Sequence, residues 1–275
     1  MMSIVVLSSD GYSDCWQPLF LSLKKYFSGI EKFELILSTN SKSYNYPGLE
    51  IKTITHGDVS WSKRLKDTLD KAQNELVLVI VEDFFLRSKL DADILQTLLD
   101  LMNNMDKIDH IRLADYGNKF KTVKTEYDTI DKIAEKTTHR FLYLPGIWKK
   151  QVLKKYIVDF ESPYMAEKMG NIRSGIFDDG FYCISKQYIK ENGNLYHSSS
   201  SGAVYKGRWA KWVGNFCKDN SIDLDLSKRG HTDKDYNENV RKKTLMGLVK
   251  SPVLTSKSVF NIVKLYLKVK IFNIK

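Results

Sequence analysis

Glu75-Leu76-Val77-Leu78-Val79-Ile80-Val81-Glu82-Asp83-Phe84-Phe85 is the stretch whose reading decides the fold. Its apolar run is continuous rather than alternating, as expected of a parallel strand covered on both faces. Working upstream, Ser3–Ser9 (SIVVLSS) reads as a second buried strand, and Phe33–Ser38 and Glu50–Ile54 as two more. Between them, Cys15–Phe27 reads as a helix with Asp14 as N-cap, Gln17 three residues on and Pro18 in the first turn. A further helix starts from a cap at Ser60 or Ser62 and runs to about Asn74, with Leu65 and Leu69 on one face. Downstream come a helix over Asp91–Asn103 and a short strand over His110–Ala114. Strands alternating with helices predict an open α/β sheet with right-handed crossovers. Such a sheet holds its ligand at the carboxyl ends of its strands. Past residue 115 the pattern is less regular, with a strand expected over Arg140–Leu144, a helix over Trp148–Ile157 and a small flexible loop at 198–202.

The 275 residues are 43% hydrophobic and 28% charged, a globular balance that excludes wholesale disorder. The formal charge is 43 − 33 = +10, but it is unevenly placed. From Arg241 to Lys275 there are nine basic residues and no acidic one, so residues 1–240 carry only 34 − 33 = +1. A near-neutral body with a basic tail argues against nucleic acid as a partner. Cys15, Cys183 and Cys217 show no CxxC spacing, which disfavours a disulfide framework or a structural zinc site and fits a reducing compartment. The start of the chain has no basic flank before its apolar strand, and no segment approaches the ~20 apolar residues of a membrane span. The expectation is a cytoplasmic protein. Val259, Ile262, Val263, Tyr266, Leu267 and Phe272 alternate with Lys257, Lys264, Lys268 and Lys275 at near-helical spacing, predicting a basic amphipathic tail that can lie on anionic lipid. A terminal element docked on the body is the other reading of that tail.

Three strand-end loops can carry chemistry. Glu82 and Asp83 are two adjacent carboxylates directly beyond the most apolar strand, costly there unless they meet solvent, a partner charge or a metal. Hard carboxylate oxygens suit Mg²⁺ or Mn²⁺, ions that bind diphosphates while keeping some waters. After the first strand, Ser8, Ser9, Asp10 and Tyr12 precede a helix and offer hydroxyls and an aromatic ring for a base and ribose. No GxGxxG is present, so the dinucleotide fingerprint is absent. Trp61 and Arg64 open the helix that leads into the apolar strand; an arginine in a first helical turn opposes the helix dipole unless it meets an anion. Farther on, Glu167 falls in a helical turn beside Tyr164 and Met169, where burial would raise its pKa toward that of a general base. Trp148, Lys206 and Trp209 are candidates to stack on or bind a sugar, with core packing the alternative for either tryptophan.

Taken in order, YSDCWQPLF (12–20), SWSKRL (60–65), LVIVEDFFL (78–86), PGIWKK (145–150), ESPYMAEKMGN (161–171) and VYKGRW (204–209) resemble the GT-A-like, family-2-like glycosyltransferases of bacterial capsule and O-antigen assembly. The resemblance spans roughly residues 3–210. It implies a GT-A-like, Rossmann-type α/β fold: a mostly parallel sheet flanked by helices, with the basic tail appended. It also implies a glycosyltransferase domain over 1–240, divided into a nucleotide-sugar half (about 1–115) and an acceptor half (about 116–240), followed by a tail over 241–275. The donor would be a nucleotide-diphosphate sugar, a UDP-sugar first, and the acceptor a glycan or lipid-linked glycan at the inner face of the cell membrane. Asp83, with Glu82, would stand in for the metal-binding DxD motif and hold Mg²⁺ or Mn²⁺. Ser8, Ser9, Asp10, Tyr12, Trp61 and Arg64 would line the nucleotide-sugar pocket. Relatives show Pro-Trp-Glu-Phe-Glu where this chain has Pro163-Tyr164-Met165-Ala166-Glu167, which singles out Glu167 as the base. Two rivals stand beside this reading: a nucleotidyltransferase, and a non-catalytic carbohydrate-binding or scaffold protein.

Overall fold

Strand β4 (Leu76–Val81) lies inside a nine-stranded sheet and is buried along almost its whole length. The computed structural model describes residues 1–115, 120–199, 202–232 and 252–271. Around β4 the sheet is built from β1 (Met2–Leu7), β2 (Glu34–Thr39), β3 (Ile51–Thr55), β5 (His110–Arg112), β6 (Thr122–Lys124), β7 (Ile130–Ile133), β8 (Gly146–Lys149) and β9 (Phe181–Ile184). Their order across the sheet is β3-β2-β1-β4-β8-β5-β9-β7-β6. The β3, β2, β1 and β4 strands are mutually parallel, β8 runs against both its neighbours, β9 is parallel to β5, and β7 runs against β9 and β6. Only β8 and β7 therefore oppose the rest. This is the mostly parallel, helix-flanked α/β sheet of Rossmann type expected from the sequence.

Helices cover both faces. On one face, α1 (Trp16–Tyr26), α3 (Ala92–Asn104) and α7 (Trp212–Asp219) pack on Ile4, Val6, Leu35, Leu37, Leu78 and Ile80. On the other, α2 (Trp61–Lys71), α4 (Lys150–Tyr156) and α5 (Pro163–Arg173) pack on Val5, Leu7, Ile36, Val77 and Val79. Alternate side chains of each central strand thus enter different cores, which is why the sequence shows no polar face. The chain leaves β1 through α1 on one face and enters β4 from α2 on the other. The connections diverge between β1 and β4, and that divergence opens the crevice where open α/β sheets bind ligands.

Several local readings need correction. The helix after β1 begins as a 3₁₀ segment over Asp10–Cys15, and Asp14 makes no cap; its carboxylate is held by Arg229 instead. Of the two serines offered as caps, Ser60 is the one, accepting the Lys63 N–H at 3.2 Å, whereas the Ser62 hydroxyl donates to the Glu161 carbonyl at 2.7 Å. Residues 140–144 form no strand. Their backbone groups are satisfied by side chains of α5: Asn171 accepts from the N–H of Arg140 and of Phe141, and Glu167 from that of Tyr143. The strand in this region is β8, one turn later, and the expected helix starts only at Lys150. Gly146 opens β8 because a Cβ there would overlap the ring of His110, which stacks on Trp148 with centroids 3.6 Å apart.

Beyond α6 (Lys186–Asn192), a two-residue hairpin pairs β10 (Val204–Tyr205) with β11 (Arg208–Trp209). Of the tail, the described part forms α8 (Pro252–Tyr266), continued by a wider helical turn to Ile271; Arg241, Lys242, Lys243, Lys250, Phe272 and Lys275 lie outside the described residues.

Candidate active site

A cleft of about 500 Å³ opens at the carboxyl ends of β1 and β4. Ser8, Ser9 and Tyr12 come to it from the end of β1, Glu82, Asp83 and Phe84 from the end of β4, and Trp61 and Arg64 from the first turn of α2. Tyr143, Pro163, Tyr164, Glu167 and Val204 complete its lining. Eight of the sequence-predicted residues thus converge: Ser8, Ser9, Tyr12, Trp61, Arg64, Glu82, Asp83 and Glu167. Four remain elsewhere.

The floor is fixed by buried hydrogen bonds. The Trp16 indole N–H donates to Ser8 Oγ at 2.7 Å, and the Arg64 guanidinium donates to the Ser8 carbonyl at 2.7 Å and to Asn40 Oδ1 at 3.0 Å. Arg64 is buried, and among the described residues its guanidinium bonds only neutral oxygens, so its charge is left to act on the cleft.

The acidic pair is held in a costly state. Burial first, and then the neighbouring Asp83 charge, push Glu82 up to about 8. Asp83 rises to about 6 through burial, opposed mainly by the Val204 N–H that reaches its Oδ2 at 3.3 Å. The Asp83 carbonyl also accepts the Ala203 N–H at 2.7 Å, tying the end of β4 to the chain entering β10. Gly202 is required at that crossing: its φ is +69°, and a Cβ would overlap the Asp83 carboxylate.

Opposite lies an aromatic wall in which Trp61 meets Tyr143 edge-on, with centroids 4.7 Å apart. The Tyr143 N–H donates to Glu167 Oε1 at 2.9 Å and orients that carboxylate. Burial raises the Glu167 pKa above the usual carboxylate range, against the pull of this N–H and of Arg112. A half-buried carboxylate of raised basicity, facing a crevice that holds an arginine and an acidic pair, can accept a proton beside a bound anion.

The four remaining candidates are placed differently. Asp10 does not line the cleft. Its carboxylate binds the loop after β2, accepting from the Ser41 hydroxyl at 2.5 Å and from the N–H groups of Asn40, Ser41 and Lys42. Burial pushes its pKa up, but these donors outweigh that and leave it below the ordinary value. Trp148 is fully buried in β8, sandwiched among His110, Phe141 and Phe181, with no ring face for a sugar. Trp209 is likewise core, beneath Arg229 at 5.3 Å. Lys206 is exposed at the β10–β11 turn, outside the cleft lining.

Arg229 is the residue that sequence reasoning missed. Its Nε and Nη2 each donate to Asp14 at 2.6 Å, Nη2 also reaches the Gly11 carbonyl at 2.6 Å, and the guanidinium lies 4.7 Å from the Tyr12 ring centroid. It pulls the pKa of both Glu82 and Asp83 down, so it belongs to the electrostatics of the cleft. Its partner is 215 residues away in sequence, and no local pattern marks it.

No protein-family model matches the chain, and no curated protein matches it in sequence. Among solved structures it is similar to S. aureus TarS 1–349, at 12% identity and TM-score 0.48 over 97% of this chain and 80% of that one. It is similar to TarS 1–349 in complex with UDP at 13% identity and TM-score 0.44, over 66% and 59% of the two chains. A nucleotidyl transferase from Methanothermobacter thermautotroptrophicus matches at 15% identity and TM-score 0.40, over 72% and 92%. The chain spans 37% of S. aureus TarS itself. At these identities and scores the likenesses say nothing about activity.

Proposed function

We propose that the chain is a glycosyltransferase that moves a sugar from a nucleotide-diphosphate donor to a hydroxyl of a glycan, with residues 1–240 as the transferase domain. One observation carries this reading: a single cleft at the β1/β4 divergence unites a nucleotide-sized crevice, a buried cation, an acidic pair and a separate basic carboxylate. Ser8, Ser9 and Tyr12 would hold the nucleoside, with Trp61 walling the crevice, while Arg64 would face the diphosphate.

Divalent-ion binding fits this donor set in a limited way. Among the described residues no group of three or more His, Cys, Asp or Glu can hold a metal by itself. Mg²⁺ and Mn²⁺, however, are commonly held by one or two carboxylates together with substrate phosphates and water. Asp83 and Glu82 supply such a pair, and the raised pKa of both marks a site short of positive charge. A bound ion would neutralise charge on the departing diphosphate.

In the transfer, the acceptor hydroxyl loses its proton to the Glu167 carboxylate as its oxygen bonds the anomeric carbon. The bond between that carbon and the diphosphate oxygen breaks, and the electron pair leaves with the nucleotide. Arg64 stabilises the charge that develops there, an electrostatic contribution of the kind worth several kcal/mol once substrate displaces water from the cleft. Tyr143 aims the base through its backbone N–H.

A panel of nucleotide sugars assayed for transfer or hydrolysis with Mn²⁺ tests the proposal. Turnover of at least one donor, lost in Asp83→Asn and in Glu167→Gln, is the expected result. Full activity in both variants would overturn the assignment of roles, and release of pyrophosphate from a nucleoside triphosphate would favour a nucleotidyltransferase.

A further inference from the structure

The two sides of α8 differ sharply. Ser258 is fully buried, its hydroxyl 2.9 Å from Glu161 Oε1 and 3.4 Å from Met165 Sδ. Glu161 is itself buried in a two-bond pair with Arg173, at 2.9 and 2.6 Å. This face therefore fastens α8 to α5. At about 3.6 residues per turn, Val253, Phe260, Val263 and Leu267 fall on the side away from Ser258. They are 66%, 71%, 50% and 41% exposed. A helix packed on a globular body ordinarily turns such a stripe inward. Here it is turned out.

The charges identify what would cover it. Lys257, Lys264 and Lys268 run along one edge of the stripe, and no acidic residue occurs anywhere from 241 to 275. An apolar stripe bordered by cations complements a surface with anionic headgroups above an apolar interior. No described helix is long and apolar enough to cross a membrane, so the matching geometry is a helix lying in the plane of the interface. The helix beneath it, α5, carries Pro163, Tyr164 and Glu167 into the cleft.

We propose that the outward stripe of α8 seats on an anionic phospholipid surface, and that the Ser258–Glu161–Arg173 node holds the seated helix so that the cleft faces the bilayer interface. The seating does not depend on the transferase reading. If both hold, the acceptor is one presented at the membrane surface.

Two measurements on the full chain test this. Co-sedimentation compares vesicles of phosphatidylcholine mixed with phosphatidylglycerol against phosphatidylcholine alone. Binding to the anionic vesicles only, reduced roughly five-fold for each of Lys257→Gln, Lys264→Gln and Lys268→Gln, is expected. The Phe260→Glu/Val263→Glu variant should lose binding by ten-fold or more, on the order of what two buried apolar side chains supply. Equal binding to both vesicle types, or no binding, would overturn the proposal. So would a dimer that this double variant dissociates, since the stripe would then be an interface between copies. The second measurement is energy transfer from a dye on Tyr164→Cys, at the cleft, and on Glu31→Cys, at the opposite end of the sheet, to labelled lipid. Stronger transfer from position 164, lost in Ser258→Glu while vesicle binding persists, is expected; equal transfer from both positions would sink the orientation.

Discussion

Two pairs of buried charges are treated in opposite ways by this fold. Glu161 and Arg173 are almost wholly inaccessible, yet they form two mutual hydrogen bonds, and the Ser258 hydroxyl meets Glu161 as well. Glu82 and Asp83 are neighbours of like charge, and among the described residues neither makes an ion pair. The first pair is an architectural joint between α5, α8 and the chain before α5. The second is left electrostatically unfinished at the mouth of a crevice. On the function proposed above, that contrast is the signature of a ligand site, because proteins retain unfavourable charge chiefly where function requires it.

Substitutions should separate the two pairs by what they damage. The largest effect is expected on transfer. Asp83→Asn and Glu167→Gln should each lower turnover by roughly 10²–10⁴-fold while leaving the urea midpoint unchanged or raised. The proposed role of Glu167 carries a pH dependence. Burial raises its pKa above the ordinary glutamate value, so as the base it would protonate at a higher pH than an exposed glutamate. The acid limb of kcat should therefore lie higher than an exposed glutamate would give, and a limb at or below that range would contradict the role.

On the other pair the effect should fall on stability. Arg173→Leu leaves Glu161 buried without its cation and should cost about 3–5 kcal/mol, read from urea unfolding. Removing both charges, as Glu161→Leu/Arg173→Leu, should recover much of that loss.

A smaller effect of opposite sign is expected at the acidic pair. The folded pKa of Glu82 is raised to about 8, so folding favours its neutral form, and stability falls as pH rises from the unfolded value toward 8. Glu82→Gln removes that cost. The ligand-free variant should be more stable than the parent at pH 9, on the order of 2 kcal/mol, and the gain should vanish below about pH 4.5. A constant difference across that range would show that Glu82 is not held in a costly state. The smallest effect belongs to Ser258→Ala, which deletes one hydroxyl from the satisfied node and should cost about 1 kcal/mol.

What the sequence disclosed follows from the range of the interactions concerned. The apolar run of β4 and the polar residues directly after β1 and β4 were legible because strand burial and strand ends are local features. The cap at Ser60 is legible for the same reason, although the sequence offers Ser62 equally, because the Glu161 carbonyl that takes the Ser62 hydroxyl lies 99 residues away. β8 was hidden because it has four residues and runs straight into α4, so Trp148 read as helical. Its burial depends on His110, a neighbour only through the sheet. Asp10 and Asp14 looked like ligand-facing or capping residues because their true partners, the loop after β2 and Arg229, are tens to hundreds of residues away. The convergence of Glu167 with Glu82 and Asp83 depended on the family resemblance, since no spacing in the chain links α5 to the end of β4.

The central claim is that the β1/β4 cleft binds a nucleoside diphosphate through its acidic pair with a divalent ion. Calorimetric titration of UDP into the full chain, with and without Mn²⁺, tests it most directly. Heat of binding that requires Mn²⁺ and disappears in Asp83→Asn is the predicted result; no binding of UDP or any other nucleoside diphosphate, or binding indifferent to Mn²⁺ and to that substitution, would contradict it.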